Sequence, residues 1–225
     1  KGGGKDLSRQ GGQVKEGDVE AAKKVYNLKA LKEEQRRAER TRLEQLKQKV
    51  EEKIAISPAL AALGGQIKLD MTKEGLRIQI VDQGNRPMFD SGSAVVKPYM
   101  RELLQELGAV LSEVPNRLTV EGHTDGKPFS AGDRGYSNWE LSADRANSSR
   151  REMVAGGLPE ARMLRVQGLA SSKLLDTQAP ESPANRRISI TVLTREAEER
   201  LLGTDTAEPA APSATQAQEK AVPAS

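Results

Sequence analysis

Residues 117–125, RLTVEGHTD, lead through a polar loop into residues 136–147, YSNWELSADRAN, and the reading of this stretch decides the fold. Leu118 and Val120 alternate with polar neighbours across Arg117 to Glu121, the pattern of a strand with one buried face. The segment GHTDGKPFSAGDRGY (122–136) has no apolar periodicity and reads as a loop. Ser137-Asn138-Trp139-Glu140 then has the form of a capping box: Ser137 can accept from the N3 backbone N–H while Glu140 reaches back to the cap. A helix is expected from there to about Ala155, burying Trp139, Ala143, Ala146, Met153 and Val154, with Gly156-Gly157 as its stop. Strand, loop and capped helix in that order are one unit of an α/β layer.

The flanks extend the same alternation. Upstream, Gln66 to Met71 and Gly75 to Asp82 carry Ile67, Leu69, Met71 and Leu76, Ile78, Ile80 at a period of two, joined by Thr72-Lys73-Glu74-Gly75, which predicts a hairpin. Between Val95 and Val114, Val96, Met100, Leu103, Leu104, Leu107, Val110 and Leu111 form a full helical stripe. Downstream, Leu164 to Leu169 and the β-branched Arg187 to Leu193 read as strands, separated by a Ser- and Pro-containing loop, and Thr194 to Leu202 as a short closing helix. The order β-β-α-β-α-β-β predicts a two-layer α/β sandwich, a mixed sheet with two main helices on one face.

The ends are different. Residues 19–56 lack Gly and Pro and are rich in Glu, Lys, Arg, Gln, Ala and Leu, a strong helix composition. Their apolar stripe (Val25, Leu28, Leu31, Ala38, Leu43, Leu46, Val50, Ile54) is narrow and thins between Leu31 and Leu43, so the segment reads either as a solvated helix or as a weak dimerising or docking helix. The expected organisation is a flexible lead-in at 1–18, a charged helical arm at 19–56, one domain at 57–202 and a disordered tail at 203–225.

Composition narrows the function. The 225 residues are 36% hydrophobic, only 3% aromatic and 30% charged, so the core is aliphatic and does not extend along the whole chain. The net charge of +3 belongs to the arm, since residues 1–56 hold 15 Lys and Arg against 10 Asp and Glu while residues 57–202 hold 19 of each. The arm's cations are interleaved with glutamates and only Tyr26 is aromatic, which argues against nucleic acid. With no Cys and a single His, disulfides, thiolate chemistry and a His-rich metal centre are excluded. His123 as a base, with Asp125 orienting it and Ser91 or Ser142 as nucleophile, lacks a nucleophile elbow. The reading is a binding protein that is not an enzyme, with no cofactor and no metal. No apolar run reaches the length of a membrane span. The chain begins with Lys1, and it is read as a piece whose upstream part can include a membrane anchor.

Gly122-His123-Thr124-Asp125 at a strand end, with Asn138, Ser142 and Arg145 on one face of the next helix, is the densest polar cluster. It reads as a pocket for an amphoteric ligand, Asp125 accepting from an ammonium and the Arg145 fork holding a carboxylate. The alternative is that Asp125 and Arg145 pair with each other and merely hold the loop to the helix.

VEGHTD (120–125), YSNWELSADRAN (136–147) and ANRRISI (184–190) together resemble the OmpA-like peptidoglycan-binding domain family, and RPMFDSGSA (86–94) with GYSNWELSADRA is similar to its flagellar-motor stator branch. The resemblance covers about residues 60–202. It implies that Asp125 and Arg145 grip the diaminopimelate of the peptidoglycan stem peptide, with Thr124, Asn138, Leu141 and Ser142 lining that pocket. It further implies that Phe89 and Asp90 form the opposite wall and that Arg186 and Arg187 supply the NRR block, although a packing or salt-bridge role fits these four as well. The implied partners are peptidoglycan, a second copy of the chain and a membrane-embedded ion-channel protein of the stator. The implied location is the periplasm, as the soluble part of an inner-membrane-anchored protein. An outer-membrane protein or lipoprotein tethering that membrane to the wall is the rival within the family.

Overall fold

The computed structural model describes residues 16–83, 85–129 and 135–203. The expected lead-in up to residue 15, the middle of the 122–136 loop and the tail from residue 204 lie outside the described residues. The elements in chain order are α1 (Glu16–Ile56), the short turn α2 (Pro58–Ala61), β1 (Ile67–Met71), β2 (Gly75–Val81), α3 (Pro98–Leu111), β3 (Leu118–His123), α4 (Asn138–Ala155), β4 (Met163–Gly168), β5 (Arg187–Leu193) and α5 (Arg195–Leu202).

The five strands form one mixed sheet in the order β1-β2-β5-β3-β4, antiparallel except for the parallel β3–β4 pair. Leu76, Ile78 and Ile80 of β2 lie in register with Val192, Ile190 and Ile188 of β5. Val120 of β3 pairs with the same Ile190. These side chains share one face because strand neighbours two apart point the same way. That face is covered by α3 and α4, and it merges with Met100, Leu103, Leu104, Leu107, Ala146 and Met153 into one aliphatic core.

Local chemistry explains the boundaries. Gly75 closes the β1–β2 turn at φ +138°, a backbone conformation open to glycine, with Thr72 N donating to Gly75 O at 2.8 Å. Helix α3 starts three residues later than the apolar stripe suggested, at Pro98, where the missing proline N–H leaves no hydrogen bond unmade. Gly108 lets α3 and α4 touch through their backbones, since a Cβ there would lie 2.1 Å from Met153 O.

Two expectations are revised. The described residues divide into two compact units between Arg42 and Leu43, so the domain extends upstream of residue 57 into α1. Leu43, Leu46 and Val50 are buried in the same core as the sheet, and Lys49 and Lys53 form ion pairs with Glu113 and Glu106 next to it. The few apolar positions of this half of the arm suffice because they are spaced to fall on one helix face. In the other unit, Val25, Leu28 and Leu31 are exposed.

The second revision concerns α4. Trp139, expected in the core, is 54% exposed, while Leu141, Ser142, Arg145, Ala146, Ser148, Ser149 and Met153 are buried. Ala143 and Val154 are only partly buried. The cause lies beneath the first turns of the helix. A Cβ on Gly122 would stand 2.0 Å from Ser142 O, and one on Gly168 2.4 Å from Ala143 N. Backbone lies against backbone, and an indole has no space to enter.

Candidate functional site

The carboxyl end of β3 and the amino end of α4 meet as the capping box predicts. Ser137 Oγ accepts from Trp139 N at 3.2 Å, and Glu140 Oε2 accepts from Ser137 N at 2.7 Å. This fixes where α4 begins, and two helical turns on, Arg145 turns toward the loop that precedes α3.

Arg145 is a buried cation held by neutral groups. Its Nε donates to Ser93 O at 2.8 Å and its Nη2 to Asp90 O at 3.2 Å, while the guanidinium lies over the Phe89 ring at 4.9 Å. Burial pushes its pKa down, Arg186 adds to that effect, and Asp82 and Asp125 oppose it. The Nη1 edge makes no hydrogen bond among the described residues.

Asp125 has other partners. Its Oδ2 accepts from Arg186 Nη1 at 2.9 Å and its Oδ1 from Lys127 N at 3.2 Å. It therefore does not pair with Arg145, and the reading in which those two merely hold each other is excluded. Arg186 in turn donates from Nε to Asp82 Oδ2 at 2.9 Å. Burial opposes the Arg186 charge, but the hydrogen bonds to Asp82 and Asp125 outweigh it and the pKa rises.

The remaining candidates divide by what their side chains do. Asn138 donates to Lys127 O at 2.7 Å and fastens the start of the loop after Asp125. Thr124 is buried, with its hydroxyl donating to Asp125 O at 3.0 Å and its amide to Ala170 O at 2.9 Å. Ser142 is fully buried: its hydroxyl donates to Trp139 O and accepts from Ala170 N, which ties α4 to the segment after β4. Leu141 is buried as well. Asp90 offers its carbonyl to Arg145 and its carboxylate to Lys97. Arg187 is buried and holds the returning loop by donating to Asn185 O and Lys173 O.

Two contributors were missed in the sequence. Asn185 accepts from Leu175 N and Asp176 N and donates to Asp176 O, Ala179 O and Pro180 O, so one amide shapes the loop whose Pro180 carbonyl receives Gly126 N. It stands in the ANRR block that had drawn attention only for its arginines. Asp82, 6% exposed, continues the phase of Leu76, Ile78 and Ile80, and a carboxylate in step with a buried apolar row requires a cationic partner.

His123 is buried beside this site without taking part in it. Neither ring nitrogen has a hydrogen-bond partner, Glu121 Oε2 lies 3.8 Å from Nε2, and burial pushes the imidazole pKa down. Asp125, turned to Arg186, does not orient it. Among the described residues, no cluster of His, Asp and Glu could hold a metal ion, and no helix is long and apolar enough to cross a membrane.

A family model described as the OmpA family matches residues 88–187, which spans Phe89, Asp90, Asp125, Arg145, Arg186 and Arg187. Motility protein B of Escherichia coli K12 is 46% identical over 201 residues, which is 89% of this chain and 62% of that relative. The chain thus spans less than two thirds of that protein's length. The structure of the cell wall anchor of the T6SS from Pseudomonas aeruginosa superposes with a TM-score of 0.51 at 26% identity, covering 60% of this chain and 94% of that one. A putative MotB-like protein from Desulfovibrio vulgaris superposes with a TM-score of 0.53, covering 70% of this chain and 99% of the other, and at 22% identity it attests the fold.

Proposed function

We propose that this chain, whose residues 88–187 match a family model described as the OmpA family, binds cell-wall peptidoglycan through its domain and so anchors a flagellar motor stator. The site takes the far end of diaminopimelate, where an ammonium and a carboxylate stand on one carbon. Asp125 receives the ammonium and the open edge of Arg145 receives the carboxylate, a pairing of charged hydrogen bonds that neutral ligands cannot match. One observation carries this reading: the two ionic groups at the strand end are each held by other residues and do not neutralise each other.

The 46% identity to Motility protein B supports the stator role, and the resemblance to a cell wall anchor supports tethering. In this reading the domain works in the periplasm as the soluble part of an inner-membrane-anchored protein. It pairs with a second copy, and an upstream segment joins it to a membrane-embedded, ion-driven MotA-type channel partner. Two linked domains on one wall reinforce a weak single site through effective concentration. The domain is a binding module and performs no chemistry.

The test is co-sedimentation with purified diaminopimelate-type peptidoglycan. Wild type is expected in the pellet, and Asp125→Asn and Arg145→Ala in the supernatant, because losing one partner of a buried charged contact costs about 2–5 kcal/mol. Equal sedimentation of all three proteins, or none of wild type, overturns the assignment.

A further inference from the structure

We infer that Asp82 sets the charge of the wall-binding site: by sharing Arg186 with Asp125 it leaves the trio with a net negative charge that makes the site selective for an ammonium-bearing ligand. The inference rests on the zwitterion-binding reading above and gives a role to a residue that touches no ligand in it.

Arg186 stands between two carboxylates, 2.9 Å from Asp82 Oδ2 through Nε and 2.9 Å from Asp125 Oδ2 through Nη1. Were Arg186 to face Asp125 alone, the two would form a neutral pair with no charge left to draw a cation out of water. With Asp82 present, two anions share one guanidinium and the trio carries a net negative charge. Burial strengthens this arithmetic, because Asp82 and Asp125 are 6% and 8% exposed and charges out of water are poorly screened. Arg145 supplies the opposite charge across the site, so the whole is neutral and dipolar, the complement of a group bearing both an ammonium and a carboxylate.

Asp82 also reaches the cationic side. Its Oδ1 accepts from Met88 N at 2.6 Å. Met88 precedes the loop in which Phe89 stacks on Arg145 while the Asp90 and Ser93 carbonyls hold its guanidinium. One carboxylate thus positions both gripping groups from behind.

The experiment titrates the full chain with a soluble stem tripeptide ending in meso-diaminopimelate and with the same peptide acetylated on its free amine. Wild type is expected to prefer the free-amine peptide. Asp82→Asn, whose oxygen can still accept from Met88 N, is expected to weaken free-amine binding about thirtyfold while changing acetyl-peptide binding by no more than about twofold. The double variant Asp82→Asn/Arg186→Gln removes one charge of each sign, so the cluster keeps its net negative charge, now carried by Asp125 alone, and it is expected to regain the preference. It also serves as the readout if the single variant does not fold. Equal losses for both peptides in Asp82→Asn, or a folded double variant without the preference, overturn the inference. Wild type that binds neither peptide overturns the zwitterion reading and this inference with it.

Discussion

Arg145 and Phe89 are stacked, the guanidinium 4.9 Å from the ring centroid, with two backbone carbonyls fixing the guanidinium in its plane. A planar, forked cation is needed for that arrangement, and lysine supplies neither the plane nor the fork. Arg145→Lys is therefore expected to abolish peptidoglycan sedimentation as fully as Arg145→Ala. Phe89→Leu removes only the cation–π contact and is expected to weaken binding by about 0.5–1 kcal/mol. Pull-down with graded amounts of wall material separates the two outcomes.

Acid sensitivity should come from His123. Burial first, and the neighbouring Arg187 second, hold its pKa below the ordinary 6.5, with Glu121 acting the other way. Below 6.5 the unfolded chain takes up a proton that the folded chain refuses, so stability falls as the pH drops from 6.5 toward the folded value. Urea midpoints at pH 7.5 and 5.5 should show the loss. The chain has one histidine, so His123→Gln should flatten the profile across this window.

Truncation distinguishes the two halves of α1. Leu43, Leu46 and Val50 are buried in the core, so a chain beginning at residue 57 is expected to lose much of its stability, whereas one beginning at residue 43 keeps it. Leu46→Ala in the full chain should cost about 2–5 kcal/mol. Thermal melts of the three proteins give the comparison.

At Gly122 an added methyl meets the backbone of α4, 2.0 Å from Ser142 O and 3.4 Å from the Ala146 side chain. Gly122→Ala must push the helix outward, at a cost of about 1–3 kcal/mol. Because α4 carries Arg145 and the Gly122 strand carries Asp125, wall binding is expected to fall further than the melting temperature suggests. Sedimentation of the folded variant at 10–20 °C checks this.

Periodicity and caps were legible because they are local. Ile78 and Ile80 announced β2, Ser137 and Glu140 announced the start of α4, and Asp125 and Arg145 stood out as a charged pair near a strand end. What escaped was long-range partnership. Residues 82, 125 and 186 meet only when β2, β3 and β5 are side by side, and no spacing in the chain reveals it. Trp139 was misplaced for a similar reason, since the exclusion of its indole follows from glycines in β3 and β4. The lower half of α1 was undecided because a solvated helix and a docked one share the same narrow stripe.

The way α1 joins the domain has a mechanical consequence. Residues 43–56 enter as a helix whose apolar side chains are seated in the core and whose Lys49 and Lys53 are pinned to Glu113 and Glu106. A pull along that helix loads many contacts side by side, in shear, so no single one must carry the force as it would at a flexible loop. For an anchor proposed to resist the recoil of a rotary motor, the cable is laid into the body of the anchor, and slack is removed where torque would otherwise be lost.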